Sequence, residues 1–333
     1  MRFPSTLAAA LAVAFPLAAA AQAPPSPHKR PEFPPPTGVQ APGIQHDIKE
    51  LVPIATFPVE GSPDWMAVAA DGVWITSSHA NHVVWLDART NRPGTIVNVK
   101  KPCSGLALGF GSLWSPSCGA HSLVRIDART GAVQATIAAS PAESEGSIAA
   151  GAGSVWLVTT KDSDLVRIDP ATNAVIATIR IPPGSFNPIF AAGYIWVSSN
   201  AGGTLVRVDP KTNQVVGETP VGPRPRFLTA GAGSIWVLNQ GDGTIARVDE
   251  KTGKRVALIE AGIPGFGGEI SFGEGAVWAT VMDYPITRID PATNTVTAQW
   301  HGPGGDSIRA GLGSVWLSDL KGGKAWRLPA AAK

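Results

Sequence analysis

The chain has 333 residues, of which 44% are apolar and only 16% charged, with a formal net charge of +2 at pH 7. A chain of this length buries roughly three quarters of the surface its unfolded form exposes, so a full-sized core is available. Lys and Arg are scattered, with no basic stripe and no aromatic-basic interleaving, which argues against a nucleic-acid partner. Glycine (37) and proline (30) are abundant and no long segment has helical apolar spacing, so an all-β fold of short strands and turns is expected.

The chain opens with Arg2 and an apolar run from Leu7 to Ala20, broken at Pro16. The run is shorter than the roughly 20 residues a membrane span needs. Ala19 and Ala21 before Gln22 fit a small-residue cleavage site, so residues 1–23 are expected to be a signal peptide. A mature protein without a membrane span, periplasmic or secreted and with a net charge of +1, follows from that reading. Residues 24–43 carry eight prolines, and 24–46 is expected to be a disordered, solvated linker, a partner-binding polyproline segment being the alternative.

From residue 47 the chain repeats itself. LVRIDPATNAVIATI (165–179) returns as LVRIDARTGAVQATI (123–137), LVRVDPKTNQVVGET (205–219) and ITRIDPATNTVTAQW (286–300). GAGSVW (151–156) returns as GFGSLW, GAGSIW, GEGAVW and GLGSVW, and its tryptophans are Trp74, Trp114, Trp156, Trp196, Trp236, Trp278 and Trp316. Intervals of 38 to 42 residues hold strand a, a glycine turn, strand b with its Trp, strand c and strand d, which is one blade of a β-propeller. A seven-bladed β-propeller of four-stranded antiparallel blades is therefore expected over 47–329, with 330–333 as a tail. The last unit stops after strand c at KAWRLP (324–329), while VPIATFPV (52–59) has no strands before it and matches AVIATIRI (174–181). The N-terminal strand is expected to complete the last blade and leave no open edge between the termini. Pro53 and Pro58 suit an outermost strand, where missing N–H groups are tolerated.

Asp87, Asp127, Asp169, Asp209, Asp249 and Asp290 recur at the entry to the c–d turn, followed four residues on by Asn or Gly. Asp accepts backbone N–H bonds across such a turn, and Asn or Gly tolerates the positive φ it requires. Six carboxylates are also calcium-ligand chemistry, but the turn role accounts for both spacing and neighbours. Arg125, Arg167, Arg207, Arg247 and Arg288 share the strand face of these Asp residues and are expected to pair neighbouring blades, an anion-binding ring being the alternative.

The pattern GxGSVWV…LVRIDPxTNxVxATI resembles the YVTN/NHL-type β-propeller repeat proteins, a group that includes the virginiamycin B lyases, over residues 52–328. The resemblance implies the fold and leaves function open, because propellers host binding, scaffolding and several chemistries. It also implies where lyase histidines would stand: at the start of strand a in the last two blades, in a PH-G/A-I context. Here those stretches read GGEIS (267–271) and GDSIR (305–309), without His. The nearest match, RPRFLTAGAG (224–233), carries Arg226, which stays charged and cannot act as a general base. Lyase activity is therefore not carried over.

Function is sought where the repeats disagree, at the channel mouth where strand a begins. Ten residues before each blade Trp stand Asp64, Ser104, Gly146, Phe186, Arg226, Gly268 and Asp306, with Asn187 expected to replace Phe186 because blade four's turn reads as one residue shorter. Adding neighbours, the candidate ligand-binding residues are Asp64, Trp65, Glu145, Asn187, Arg226, Phe227, Glu269 and Asp306, beside Ser307. Acids, an amide, an Arg and aromatics suit a small polar ligand or a divalent cation such as Ca, Mg or Zn; solvated channel polarity is the plainer reading. His79, His82 and His121 have the ligand chemistry of a Zn or Cu site, or are ordinary surface histidines. Cys103 and Cys118 flank the hairpin turning at Phe110 and Gly111 symmetrically, as a disulfide requires; a thiol–His metal site is the alternative. No nucleophile elbow, P-loop, HExxH, haem or dinucleotide fingerprint is present. The expected protein is an exported, monomeric, non-catalytic propeller that binds a small polar ligand or a periplasmic protein at the channel mouth. The competing expectation is a lyase or metal-dependent lactonase using Glu145, Asn187, Glu269 and Asp306.

Overall fold

The computed structural model describes residues 33–103, 105–142, 145–159 and 163–330. The expected signal peptide, residues 24–32 of the linker, Ser104 and the last three tail residues lie outside the described residues. Seven sheets follow one another along the chain. Blade one comprises Pro63–Val68, Gly72–Ser77, His82–Asp87 and Arg92–Asn98, in the order a to d. Blades two to six repeat that meander, beginning at Ala107, Ile148, Ser185, Pro225 and Glu269. Blade seven supplies Ile308–Gly311, Ser314–Asp319 and Lys324–Pro329 and takes Ala55–Pro58 as its outer strand, antiparallel, with Thr56 opposite Trp326. The expected seven-bladed propeller and its closure by the N-terminal strand are both observed.

The turn residues behave as their chemistry dictates. Asp127 Oδ1 accepts N–H bonds from Arg129 at 3.1 Å and Thr130 at 2.8 Å, and the other five Asp residues make equivalent bonds. These donors hold the Asp87, Asp127, Asp169 and Asp249 carboxyls below their ordinary range. Asn91, Asn173, Asn213 and Asn294 have φ of 54° to 59°, the left-handed conformation expected of them.

Three repeated residues join the blades. In blades two to seven the Trp indole donates to the carbonyl five residues earlier at 2.9–3.1 Å, tying strand b to the end of strand a. That earlier residue is usually Gly because the next blade presses onto it: a Cβ on Gly151 would stand 2.2 Å from the Phe190 ring. Across the Trp lies the strand-c arginine. Arg125, Arg167, Arg247 and Arg327 each donate Nε to a Ser of their own blade at 2.8–2.9 Å. Their Nη1 groups then cross to the next blade's turn, bonding a backbone carbonyl at 2.5–2.7 Å and the turn Asn at 2.8–3.0 Å. The guanidinium planes lie 4.7–5.3 Å above the Trp rings. The expected inter-blade pairing is therefore real, but its acceptors are turn carbonyls and amides rather than acids. Arg327, unremarked in the sequence reading, makes the same clamp across the ring closure, to Ala88 and Asn91 of blade one.

The linker expectation is corrected over residues 33–46. Gln45–Asp47 is a fifth strand on blade six, parallel to Thr295–His301. Before it, the N–H groups of Thr37 and Gly38 donate to Gly262 O at 3.1 and 2.9 Å, and Val39 N donates to Gln299 Oε1 at 2.6 Å. Proline removes some donors from this stretch, and the edge of blade six and the preceding loop receive several of those that remain. The compact unit that holds the blades thus includes residues 33–46 and does not start at residue 47.

Cys103 and Cys118 form the expected disulfide, with Cα atoms 5.4 Å apart, placed by flanking backbone bonds from Cys103 N to Pro116 O and from Cys118 N to Lys101 O, each 3.0 Å. The alternative thiol–His metal site is excluded, since both sulfurs are consumed. Arg327→Ala is expected to lower the unfolding free energy by roughly 2 kcal/mol, because it strips two charge-assisted bonds from acceptors at the closure. Arg89→Ala, removing a 3.1 Å ion pair whose partners are 74% and 47% exposed, should cost less than about 0.5 kcal/mol. Urea unfolding of both variants checks the contrast.

Candidate functional site

Pairing within the inner hairpins sets the depth of each candidate. The residue opposite every blade Trp is the one seven before it: Ala67, Ala107, Ala149, Ile189, Thr229, Ser271 and Arg309. Blade four obeys the same register, so its turn is not shorter and Phe186, not Asn187, is the equivalent of Asp306. This corrects the sequence expectation; Asn187 instead shares the level of Trp65, Phe227, Glu269 and Ser307.

At the mouth, Asp64, Glu145, Glu269 and Asp306 act on one another electrostatically. Asp306 shares a side-chain hydrogen bond with Asp64 and accepts from Gly268 N at 3.4 Å. Burial raises its carboxyl to about 7, and Glu145 and Glu269 push it the same way. Burial also raises Glu145 to about 7, helped by Asp64 and opposed by Arg226, whose Nη2 lies 3.3 Å from Glu145 Oε2. Glu269 is 1% exposed and is raised by burial to about 8, against the pull of Arg309 and Ser307. Arg309 Nη2 pairs with Glu269 Oε1, while the Ser307 hydroxyl and Ile308 N both donate to Oε2. Glu145 and Arg226 are the more exposed, with side chains 28% and 19% accessible although Glu145 Oε2 and Arg226 Nε are buried, while Asp64, Glu269 and Asp306 are buried.

Aromatic rings frame these charges. Arg226 lies 5.1 Å from the Phe186 ring and 5.2 Å from Phe227, and Arg309 lies 4.7 Å over Trp65. Trp65 and Phe227 are 6.0 Å apart, and Phe227 is fully buried, so it supports the site and offers no open face. Asn187 is likewise engaged: Nδ2 donates to Gly146 O and Oδ1 accepts from Leu228 N, both at 2.8 Å. Its amide links blades three, four and five, leaving little bonding capacity for a ligand.

Below this level the inner strands of all seven blades enclose a channel of about 410 Å³, lined largely by apolar residues such as Leu106, Ile148, Leu228 and Ile270. Trp65, Asn187 and Arg309 border it on the side of the acids.

The histidine cluster does not assemble. Among the described residues no group of three or more His, Cys, Asp or Glu is placed to hold a metal ion, which counts against both the histidine triad and the acid ring as metal sites. His79 Nδ1 bonds the Ser62 hydroxyl, His121 is an exposed turn residue, and burial lowers the pKa of His82.

Two participants were missed in the sequence. Arg309 follows the expected ring by three residues, and its signal was present: the six equivalent positions are small or apolar, and only here is one charged. Gln240, 2% exposed, donates to Gly267 O at 2.7 Å and steadies the loop that carries Gly268; its place in a b–c loop has no repeat signature.

No protein-family model matches the chain, and no curated protein sequence matches it. Solved structures do. Virginiamycin B lyase from Staphylococcus aureus superposes with a TM-score of 0.68 at 17% identity, over 82% of this chain and 98% of that one. A catalytically inactive His-to-Ala variant of that lyase with quinupristin gives 0.66 at 18% identity, over 80% and 94%. BamB from Moraxella catarrhalis gives 0.62 at 13% identity, over 84% and 99%. At such identities the likeness establishes a shared propeller fold.

The raised carboxyls bind protons more tightly in the folded than in the unfolded chain, so their contribution to stability is full below about pH 4 and is lost as the pH rises through 7 to 8. Each is expected to cost up to about 1.4 kcal/mol per pH unit within that window. Unfolding midpoints between those limits should fall for the wild type, and Asp306→Asn should flatten the decline.

Proposed function

We propose that this is an exported binding propeller whose acid-rich channel mouth takes a small polar ligand carrying a positively charged group. One observation carries the reading: burial and neighbouring acids, Asp64 among them, raise the carboxyls of Glu145, Glu269 and Asp306 against only two arginines, at positions where the repeat requires no acid. Burying acids in excess is unfavourable for folding alone, and a cationic ligand would relieve it. Glu145 and Arg226 form the part-exposed layer, with Phe186 as an apolar wall for the ligand's carbon frame. Export is supported by the disulfide, which persists in oxidising compartments, and by the apolar leader of the sequence. Among the described residues no helix is long and apolar enough to cross a membrane.

A second reading is catalytic and rests on Glu145, part-exposed with its carboxyl near 7, which suits proton transfer at neutral pH. Mass spectrometry of the probe after incubation separates the two readings, since a binding site returns it unchanged.

Spermidine is expected to raise the melting temperature more near pH 8 than near pH 6, because the carboxyls must ionise to receive it. Butane-1,4-diol, of similar length to one arm but uncharged, should have no effect. Glu145→Gln with Asp306→Asn should abolish the spermidine response. An equal response to the diol, or an undiminished one in the double variant, would exclude the reading.

A further inference from the structure

Among the seams where strand c carries the arginine and the next blade has a complete c–d turn, the clamp fails at one, from blade four to blade five, and the failure is built from three coordinated substitutions. Blades two, three, five and seven offer Ser112, Ser154, Ser234 or Ser314 to the clamp arginine; blade four has Tyr194 there. The next blade's turn normally offers Asn, as Asn173, Asn213 and Asn294 do; blade five has Gly253. Opposite the arginine, strand d elsewhere carries Ala135, Ala177, Ala257 or Ala298; blade four has Gly217.

Arg207 is consequently left with little of its usual bonding. Its Nε is buried without a hydrogen-bond partner, and Nη1 reaches only Lys251 O at 3.5 Å. The guanidinium is held flat, 4.7 Å over Tyr194 and 5.6 Å over Trp196, so its position is fixed while its donors are unused. A Cβ on Gly253 would approach Nη1 to 3.3 Å, and one on Gly217 would lie 3.8 Å from Nε and Nη2. The volume that side chains fill in other blades is open here, as a cleft of about 510 Å³. Its wall adds Lys254 and Arg255, both exposed, against one acid, the exposed Glu218. The cleft lies along the seam itself, between strand d of blade four and the c–d turn of blade five.

We infer that this seam is a second binding site, for the phosphate group of a phosphate monoester. A rigid guanidinium fork with free donors suits two oxygens of one tetrahedral anion, and the two further cations supply the remaining countercharge. The site is independent of the channel mouth and of any ligand there.

The test repairs the seam. Tyr194→Ser with Gly253→Asn restores both habitual partners of Arg207, and Asn tolerates the φ of 70° at 253. Isothermal titration with inorganic phosphate and with glycerol 3-phosphate, near pH 8 and against chloride at equal ionic strength, should show binding to the wild type. The repaired variant should fold and bind at least tenfold more weakly, the scale of a lost charge-assisted bond. Should the repair not fold, Lys254→Gln with Arg255→Gln, both on exposed positions, should weaken phosphate by a similar factor. Wild-type binding no stronger than chloride, or undiminished affinity in the variants, overturns the inference.

Discussion

A four-stranded blade cannot bury both of its faces alone, and at four of the seven seams one side chain does the joining. The strand-c arginine lies flat on its own blade's tryptophan and reaches with its fork into the next blade's turn. Its aliphatic stem and planar head bury apolar area while its donors satisfy carbonyl groups of a turn that would otherwise depend on water. The turn Asn therefore does two things at once: it adopts the positive φ of the turn and receives the neighbouring arginine. Repeating that contact from Arg327 to blade one makes the closure chemically equivalent to the seams after blades two, three and five.

Fixing the blades at the turn end leaves the other end of strand a unconstrained by the repeat. There the ring accumulates acids, and their burial has a cost that the fold does not demand. The surrounding contacts divide into two kinds. Asn187 and the Ser307 hydroxyl act as latches between blades, satisfied within the protein. Glu145 and Arg226 face outward with part of their surface in water. The chemistry of a ligand would be met by the second kind and tuned by the buried charges below.

Blade one shows how a seam adjusts when its clamp changes. Trp85 replaces the arginine and packs 5.3 Å from Trp74, and the Trp74 indole donates to Ala128 O at 3.2 Å, the carbonyl that an arginine would have taken. Blade six adjusts differently, with Arg288 turning to Thr297 because blade seven has no complete c–d turn to receive it. At the blade four seam the Thr219 hydroxyl donates to Gly253 O at 2.5 Å and Arg255 Nη1 to Val221 O at 3.3 Å, but neither meets Arg207, whose Nε stays unpartnered. A departure from a repeat is thus informative only after its neighbours have been examined for a compensating donor or acceptor.

The sequence by itself determined the blade count, the turn chemistry, the completing strand within 52–59 and the disulfide, because each rests on local spacing or on self-similarity. It also located most of the acids at the mouth, since residues outside the repeat stand out against it. It did not reveal that Asn187 is a latch, that Arg309 pairs with Glu269, or that residues 33–46 lie on the blades. Those outcomes depend on which donors and acceptors meet across seams some 40 residues apart, and on whether a polar group is satisfied once buried. Tertiary structure alone decides both, because the energy of a buried charge or amide is set by the neighbours that replace its water.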